Sequence, residues 1–214
     1  MSPQKKEGKV SSSKTKTSEL KKFYRENFPD LKIHHLIPRS RGGQTDYFVL
    51  FPWDFISHDA WHQLCLNMTV QEVWDRLDEI HATIYSSADM VVPFWLKACT
   101  LYKAGPKKLA KFEEQKKDKL SRPVNAVKLR GLWLRCFKSD KLADARTLLL
   151  YMAMFMLFGS KMADPESISQ ADAESLLSQI PDMQDYRRWA AGICLNYAAT
   201  VIVSRVSDFY VSPR

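Results

Sequence analysis

Residues 32–53 read KIHHLIPRSRGGQTDYFVLFPW, and how they fold decides the architecture of the chain. Lys32 to Pro38 is short and apolar, with β-branched Ile33 and Ile37, which predicts a strand. Arg39 to Asp46 has the Gly-Gly and polar make-up of a turn. Tyr47 to Phe51 reads as a second strand, closed by Pro52. Strand, turn and strand make a β-hairpin. From Trp53 onwards the period becomes helical, with Phe55, Trp61, Leu64 and Cys65 at helix-compatible spacing.

Upstream of the hairpin, residues 1–17 are polar and Lys-rich without hydrophobic periodicity, the composition of a disordered basic tail. Ser18 to Phe28 predicts a short helix ending before Pro29. Downstream, Thr69 and Glu72 have the spacing of a capping box that opens a helix through about Tyr85. Further helices are expected over 91–103, 106–118, 124–138, 141–161, 169–179 and 183–206. Gly105-Pro106, Pro123, Pro165 and Pro181 supply the breaks. No repeat recurs at a fixed period. The predicted class is α+β, predominantly α: a small ββα unit within residues 18–86, then a larger helical region over 87–214.

The 214 residues hold 32 Lys and Arg against 24 Asp and Glu, a net charge of +8. Seven Gly and ten Pro exclude a collagenous or low-complexity chain. Cys65, Cys99, Cys136 and Cys194 form no CxxC pair, which argues against a cysteine zinc site or a dense disulfide framework. The first 30 residues lack the apolar core of a secretory signal. Leu148 to Gly159 and Trp189 to Val203 are the most apolar stretches. Both are shorter than the ~20 residues of a membrane helix, so buried helices and no membrane are expected. A cytoplasmic location follows as the default, with a nuclear one open to a eukaryotic chain because of the basic tail.

Charge is unevenly distributed. Residues 1–32 carry +5, residues 33–96 carry −5, residues 97–141 carry +10 and residues 142–214 carry −2. The basic segment 97–141 interleaves Lys and Arg with Leu, Phe and Trp, as amphipathic helices do. Phosphate neutralisation along DNA is one reading, with Lys107, Lys108, Lys111, Lys116 and Lys117 as contacts. Solvated helix faces are the other. Trp133 and Phe137, four residues apart, are expected in the core. The Met-rich run Leu148 to Phe158 is expected to be a buried helix, and a partner-protein surface on the helical region is the lesser option.

Four of the five histidines, at 34, 35, 58 and 62, fall within 29 residues. His58 and His62 are i and i+4, so on a helix they project from one face and can share a divalent metal. His34 and His35 are neighbours on a strand and point to opposite sides. One of them can complete the ligand set, which leaves the other as a base. His81 has no such partner and reads as structural or exposed.

HHLIPRSRGG, then YFVLFP, then HDAWHQL followed by LNMTVQE, resembles the HNH endonucleases with the ββα-metal fold, over about residues 31–85. The resemblance implies that His34, His58 and His62 hold one divalent metal ion (Mg, Mn, Ni or Zn). It implies that His35 is the general base for the attacking water, and that the metal assists departure of the 3′ oxygen. Arg39 and Arg41 flank the turn and could help neutralise DNA phosphates, with ordinary loop solvation the equal alternative. The family's usual Asn near the second strand is replaced: Asp46 and Tyr47 occupy that region, and Asp46 can accept backbone hydrogen bonds but not donate them. The expected function is thus a DNA-cleaving hydrolase. The alternative is an HNH scaffold that binds nucleic acid or a protein partner without cleaving.

Overall fold

In the computed structural model, Lys32–His35 (β1) and Leu50–Trp53 (β2) pair antiparallel, with His34 opposite Phe51 and His35 opposite Leu50. The structure describes residues 19, 22–46, 48–85, 90–91 and 123–197. The 1–17 tail, Tyr47, the expected 106–118 helix with Lys107, Lys108, Lys111, Lys116 and Lys117, and all but Val91 of the expected 91–103 helix lie outside these residues. The described part is mostly helical with small antiparallel sheets, in keeping with the predicted α+β class.

Both strands differ from their expected bounds. β1 stops at His35, and β2 starts three residues late and runs through Pro52. The delay has a cause in Asp46, whose Oδ1 accepts from the amides of Phe48 (3.0 Å) and Val49 (3.2 Å) and holds those two residues in a turn. Pro52 is tolerated because of register. The Leu36 amide donates to the Val49 carbonyl (2.9 Å), so alternation places the Ile33–Pro52 pair at a position without ladder hydrogen bonds. Between the strands, Arg39–Arg41 forms a single 3-10 turn. Gly42 closes it at φ +84°, and a Cβ on Gly43 would sit 1.9 Å from the Ile37 carbonyl oxygen, so both glycines are required.

A short helix over residues 22–27 (α1) lies against one face of the hairpin. There Tyr24, Phe28 and Leu50 form a small buried cluster, and the Tyr24 hydroxyl donates to the Leu50 carbonyl at 3.0 Å. Phe55–Leu64 (α2) follows the hairpin. The expected helix from Thr69 is two helices, Val70–Asp75 (α3) and Leu77–Tyr85 (α4), broken at Arg76. Its capping box is present in both directions between Thr69 and Glu72. Met90–Val91 (β3) and Pro123–Val124 (β4) pair antiparallel, so residues 91 and 124 are strand rather than helix.

Ala126–Phe137 (α5) is capped by the Asn125 side chain, which accepts from the amides of Val127 and Lys128. Leu142–Phe158 (α6) is buried at every position from Leu148 to Leu157. Gln170–Ser178 (α7) opens on a Ser169–Asp172 capping box, and Asp185–Asn196 (α8) is the last described helix. With the 3-10 turn that follows it, α6 runs to Ala163, longer than expected. By length and composition this Leu142–Ala163 stretch could cross a membrane, yet 67% of its apolar window is buried in the fold.

One core cluster draws on both sides of residue 86, from Leu36, Phe51 and Trp61 to Trp133, Phe155 and Ala191. α2 packs most extensively on α5, and α6 on α8. Trp133 and Phe137 are fully buried, as expected.

Candidate metal centre

α2 begins where the Asp54 carboxylate caps its first turn, accepting from the Ser57 amide at 2.9 Å. Its buried residues Ser57, Ala60, Trp61 and Leu64 form one stripe. Ser57 also donates from Oγ to the Arg135 carbonyl (2.9 Å), and Lys138 pairs with Asp54 at 3.3 Å, so the start of α2 is tied to the C-terminal end of α5. With that face fixed, His58 and His62 are left on the opposite one.

β1 brings His34 to meet them. His34 is 2% exposed, and its ring lies 5.3 Å from that of His58 and 5.1 Å from that of His62, which are 4.6 Å from each other. One nitrogen from each of the three lies within 4.8 Å of the others, so the group can hold a metal ion. Trp53 and Trp61 flank His34 edge-on at 5.4 and 5.6 Å. Its cross-strand neighbour Phe51 is held in turn by Phe155 of α6 at 5.0 Å. The helical region thus fixes the depth at which His34 sits.

The donor set fits a divalent cation. His34 Nδ1 is buried with no hydrogen-bond partner, a cost that a bound cation or its water would remove. Burial, then His62, His58 and His35, hold the His34 imidazole well below its ordinary value of 6.5. Burial, then His62 and Lys32, bring His58 down to about 4, against the opposing pull of Asp59 and Asp54. Both are neutral at pH 7, the form that ligates. His62 Nδ1 approaches the Leu66 carbonyl at 3.4 Å, which leaves Nε2 for a metal. Leu66 has φ +50°, a left-handed conformation costly for a branched side chain, and it aims that carbonyl back along the helix end.

His35 is separate from the cluster. It is half-buried, and its Nε2 lies 3.4 Å from Thr45 Oγ1. Burial, then the Arg39 guanidinium, then His62, lower its pKa from 6.5. Arg39 is exposed beside it. Arg41 is differently engaged: it makes a two-pronged pair with Glu72 (2.7 and 3.2 Å), tying the turn to the start of α3. Of the described cations in segment 97–141, Arg130 donates to the carbonyls of Ile84 and Tyr85 at the end of α4, and Lys138 is paired with Asp54. His81 Nε2 lies 2.9 Å from the Asp140 carbonyl and its ring stacks on Tyr85, a structural placement.

The geometry therefore gathers His34, His58 and His62, sets His35 and Arg39 beside them, and leaves Arg41 and Asp46 shaping the turn. Thr45 and Leu66 were not anticipated. Only the proximity of Thr45 to Asp46 in a polar turn pointed that way, and nothing in the sequence marks Leu66. Compared with protein-family models, curated proteins and solved structures, the chain matches none.

Proposed function

We propose that the protein is a metal-dependent nuclease hydrolysing phosphodiester bonds of DNA, with the hairpin and α2 acting as an HNH-type ββα-metal unit. The observation that carries this reading is the division between two adjacent histidines. His34 turns into the three-imidazole group, and His35 turns away from it toward Thr45 and Arg39. A divalent cation (Mg, Mn, Ni or Zn) held by His34, His58 and His62 would act as a Lewis acid on a scissile phosphate oxygen and the departing oxygen.

The chain's own residues supply the rest. His35, with its pKa lowered, is neutral at pH 7 and can take the proton of the attacking water. In the tautomer whose Nε2–H donates to Thr45 Oγ1, Nδ1 is the nitrogen left to receive it. Arg39 stands close enough to His35 to pair with a phosphate oxygen at the same place. Asp46 keeps the turn in the shape that positions Thr45, using carboxylate-to-amide bonds in the region where the family has an Asn.

Supercoiled plasmid incubated with Mg²⁺, Mn²⁺, Ni²⁺ or Zn²⁺ tests this. Nicking is expected with at least one metal, and His35→Ala should lower the rate by about 10²–10⁴-fold. Cutting by His35→Ala at the wild-type rate, or no cutting with any metal, removes the reading.

A further inference from the structure

Beside the imidazole group stands a pair of side chains that the reaction above does not use. Alternation along β1 puts Lys32 on the same side of the strand as His34. On α2, Phe55 precedes His58 by three residues and His62 by seven, so all three share one helix face. The two elements meet there, with Lys32 Nζ 3.8 Å from the centroid of the Phe55 ring. Phe55 is 57% exposed, the most exposed aromatic side chain among the described residues. Beside the ammonium, that exposure leaves ring surface accessible to solvent, the open face of the ring. Apart from the buried Trp53 across from Lys32, the described neighbours on this side are Lys32, His58, Asp59 and His62, polar or charged, so an extended apolar protein surface finds little match. Ile56, also exposed, stands about 100° round the helix and belongs to a different face.

We infer that Lys32 and Phe55 form a subsite for one unpaired nucleotide of single-stranded DNA, the base stacking on the open face of Phe55 and an adjacent phosphate pairing with Lys32. The inference rests on the nuclease reading and gives it a substrate class: unpaired or frayed strands rather than intact duplex. A ring fixed on a helix meets a base face only where that base has left its stack, which a closed duplex does not offer. The ammonium completes the combination that single-strand sites use, a cation for the backbone and an aromatic platform for the base. Three residues of helix separate Phe55 from His58, about 4.5 Å along the axis, so the stacked nucleotide lies next to the bond to be cut.

Fluorescence anisotropy on the full chain, with fluorescein-labelled oligothymidylate and a blunt duplex of equal length in EDTA, tests the subsite without cleavage. Wild type should bind the oligothymidylate more tightly than the duplex. Phe55→Ala should weaken oligothymidylate binding by about fivefold or more and leave duplex binding unchanged, while Phe55→Trp retains it. Lys32→Ala should reduce the slope of log affinity against log salt by about 0.7 for the single strand. Unaltered circular dichroism of Phe55→Ala, expected for an exposed position, separates these effects from misfolding. Binding of oligothymidylate that is absent in wild type, indifferent to Phe55→Ala, or lost in parallel with duplex binding overturns the inference. Phe55-independent binding by a protein that nicks plasmid removes the subsite alone. Phe55-dependent binding by a protein that never nicks removes the nuclease reading and upholds the subsite.

Discussion

α2 and α6 are both helices packed in the same core, and they do opposite work. α6 is buried on all sides over ten consecutive positions, Leu148–Leu157. Helix α8 covers part of it, and α3, α4 and β2 cover more. α2 is packed on one side only, through Ser57, Ala60, Trp61 and Leu64. Its free side carries Phe55, His58, Asp59 and His62. A helix enclosed on all sides contributes stability and position but cannot present chemistry. One held by half its circumference can be rigid and accessible at once. The two are linked, because Phe155 of α6 fixes Phe51, which pairs with His34, which meets the histidines of α2.

If that division is correct, the largest loss of stability comes from α6. Phe155→Ala should cost about 3–5 kcal/mol in urea unfolding, while the surviving folded protein keeps most of its metal affinity, losing only what Phe51 contributes to the placing of His34. His58→Ala should do the reverse. Its metal affinity, followed by Co²⁺ or Ni²⁺ absorbance, should fall more than the roughly 100-fold typical of an outer-sphere contact, with little change in metal-free stability. Ser57→Ala lies between the two classes. It removes the bond from Oγ to the Arg135 carbonyl, and about 1 kcal/mol of stability should go with it. Loss of much more would mean that α2 depends on α5 as heavily as α6 depends on its neighbours.

A separate effect is a dependence on pH carried mainly by the histidines, joined by Glu72 only near its acid end. His34, His35 and His58 all bind protons less readily in the folded chain than at their ordinary value of 6.5. Below 6.5 the unfolded chain therefore takes up more protons than the folded one. Stability of the metal-free protein should be full above 6.5 and decline as pH falls, for His58 down to about 4. Melting temperatures across this range should show that decline, shallower in His58→Gln. A decline of equal steepness in His58→Gln would place the titrating groups elsewhere. Nothing in Leu148–Leu157 titrates there, so Leu149→Ala should shift the melting temperature without changing the slope.

The sequence made some of this legible. The i, i+4 spacing of His58 and His62 sets them on one face wherever the helix forms. The Thr69–Glu72 capping box is local, and its hydrogen bonds are present. Which of His34 and His35 turns inward was not legible from alternation, since parity along a strand has no absolute sign. Phe51, Trp53 and Trp61 settle it by surrounding His34. The end of β2 departs from expectation because Pro52 resembles a stop, although a proline at a position without ladder bonds gives up nothing; its start departs because Asp46 holds Phe48 and Val49 in a turn. Thr45 gave no periodic signal. The contact of Ser57 with Arg135 joins residues 78 apart in the chain, a distance over which pattern carries no information.

Cys65 stands three residues after His62 yet is fully buried, and Cys136 is also buried, its thiol pushed far above the usual range by desolvation. Burial also pushes the Cys194 thiol up to about 12. Among the described residues no sulfur is therefore available as a thiolate beside the imidazoles. The candidate centre is an all-imidazole set, a donor type of intermediate softness that suits zinc, nickel, copper and iron. Among the described residues, thiol oxidants such as a shifted glutathione balance find no reactive cysteine there. A metal held by these imidazoles would therefore not be released by the thiol oxidation that disables thiolate centres.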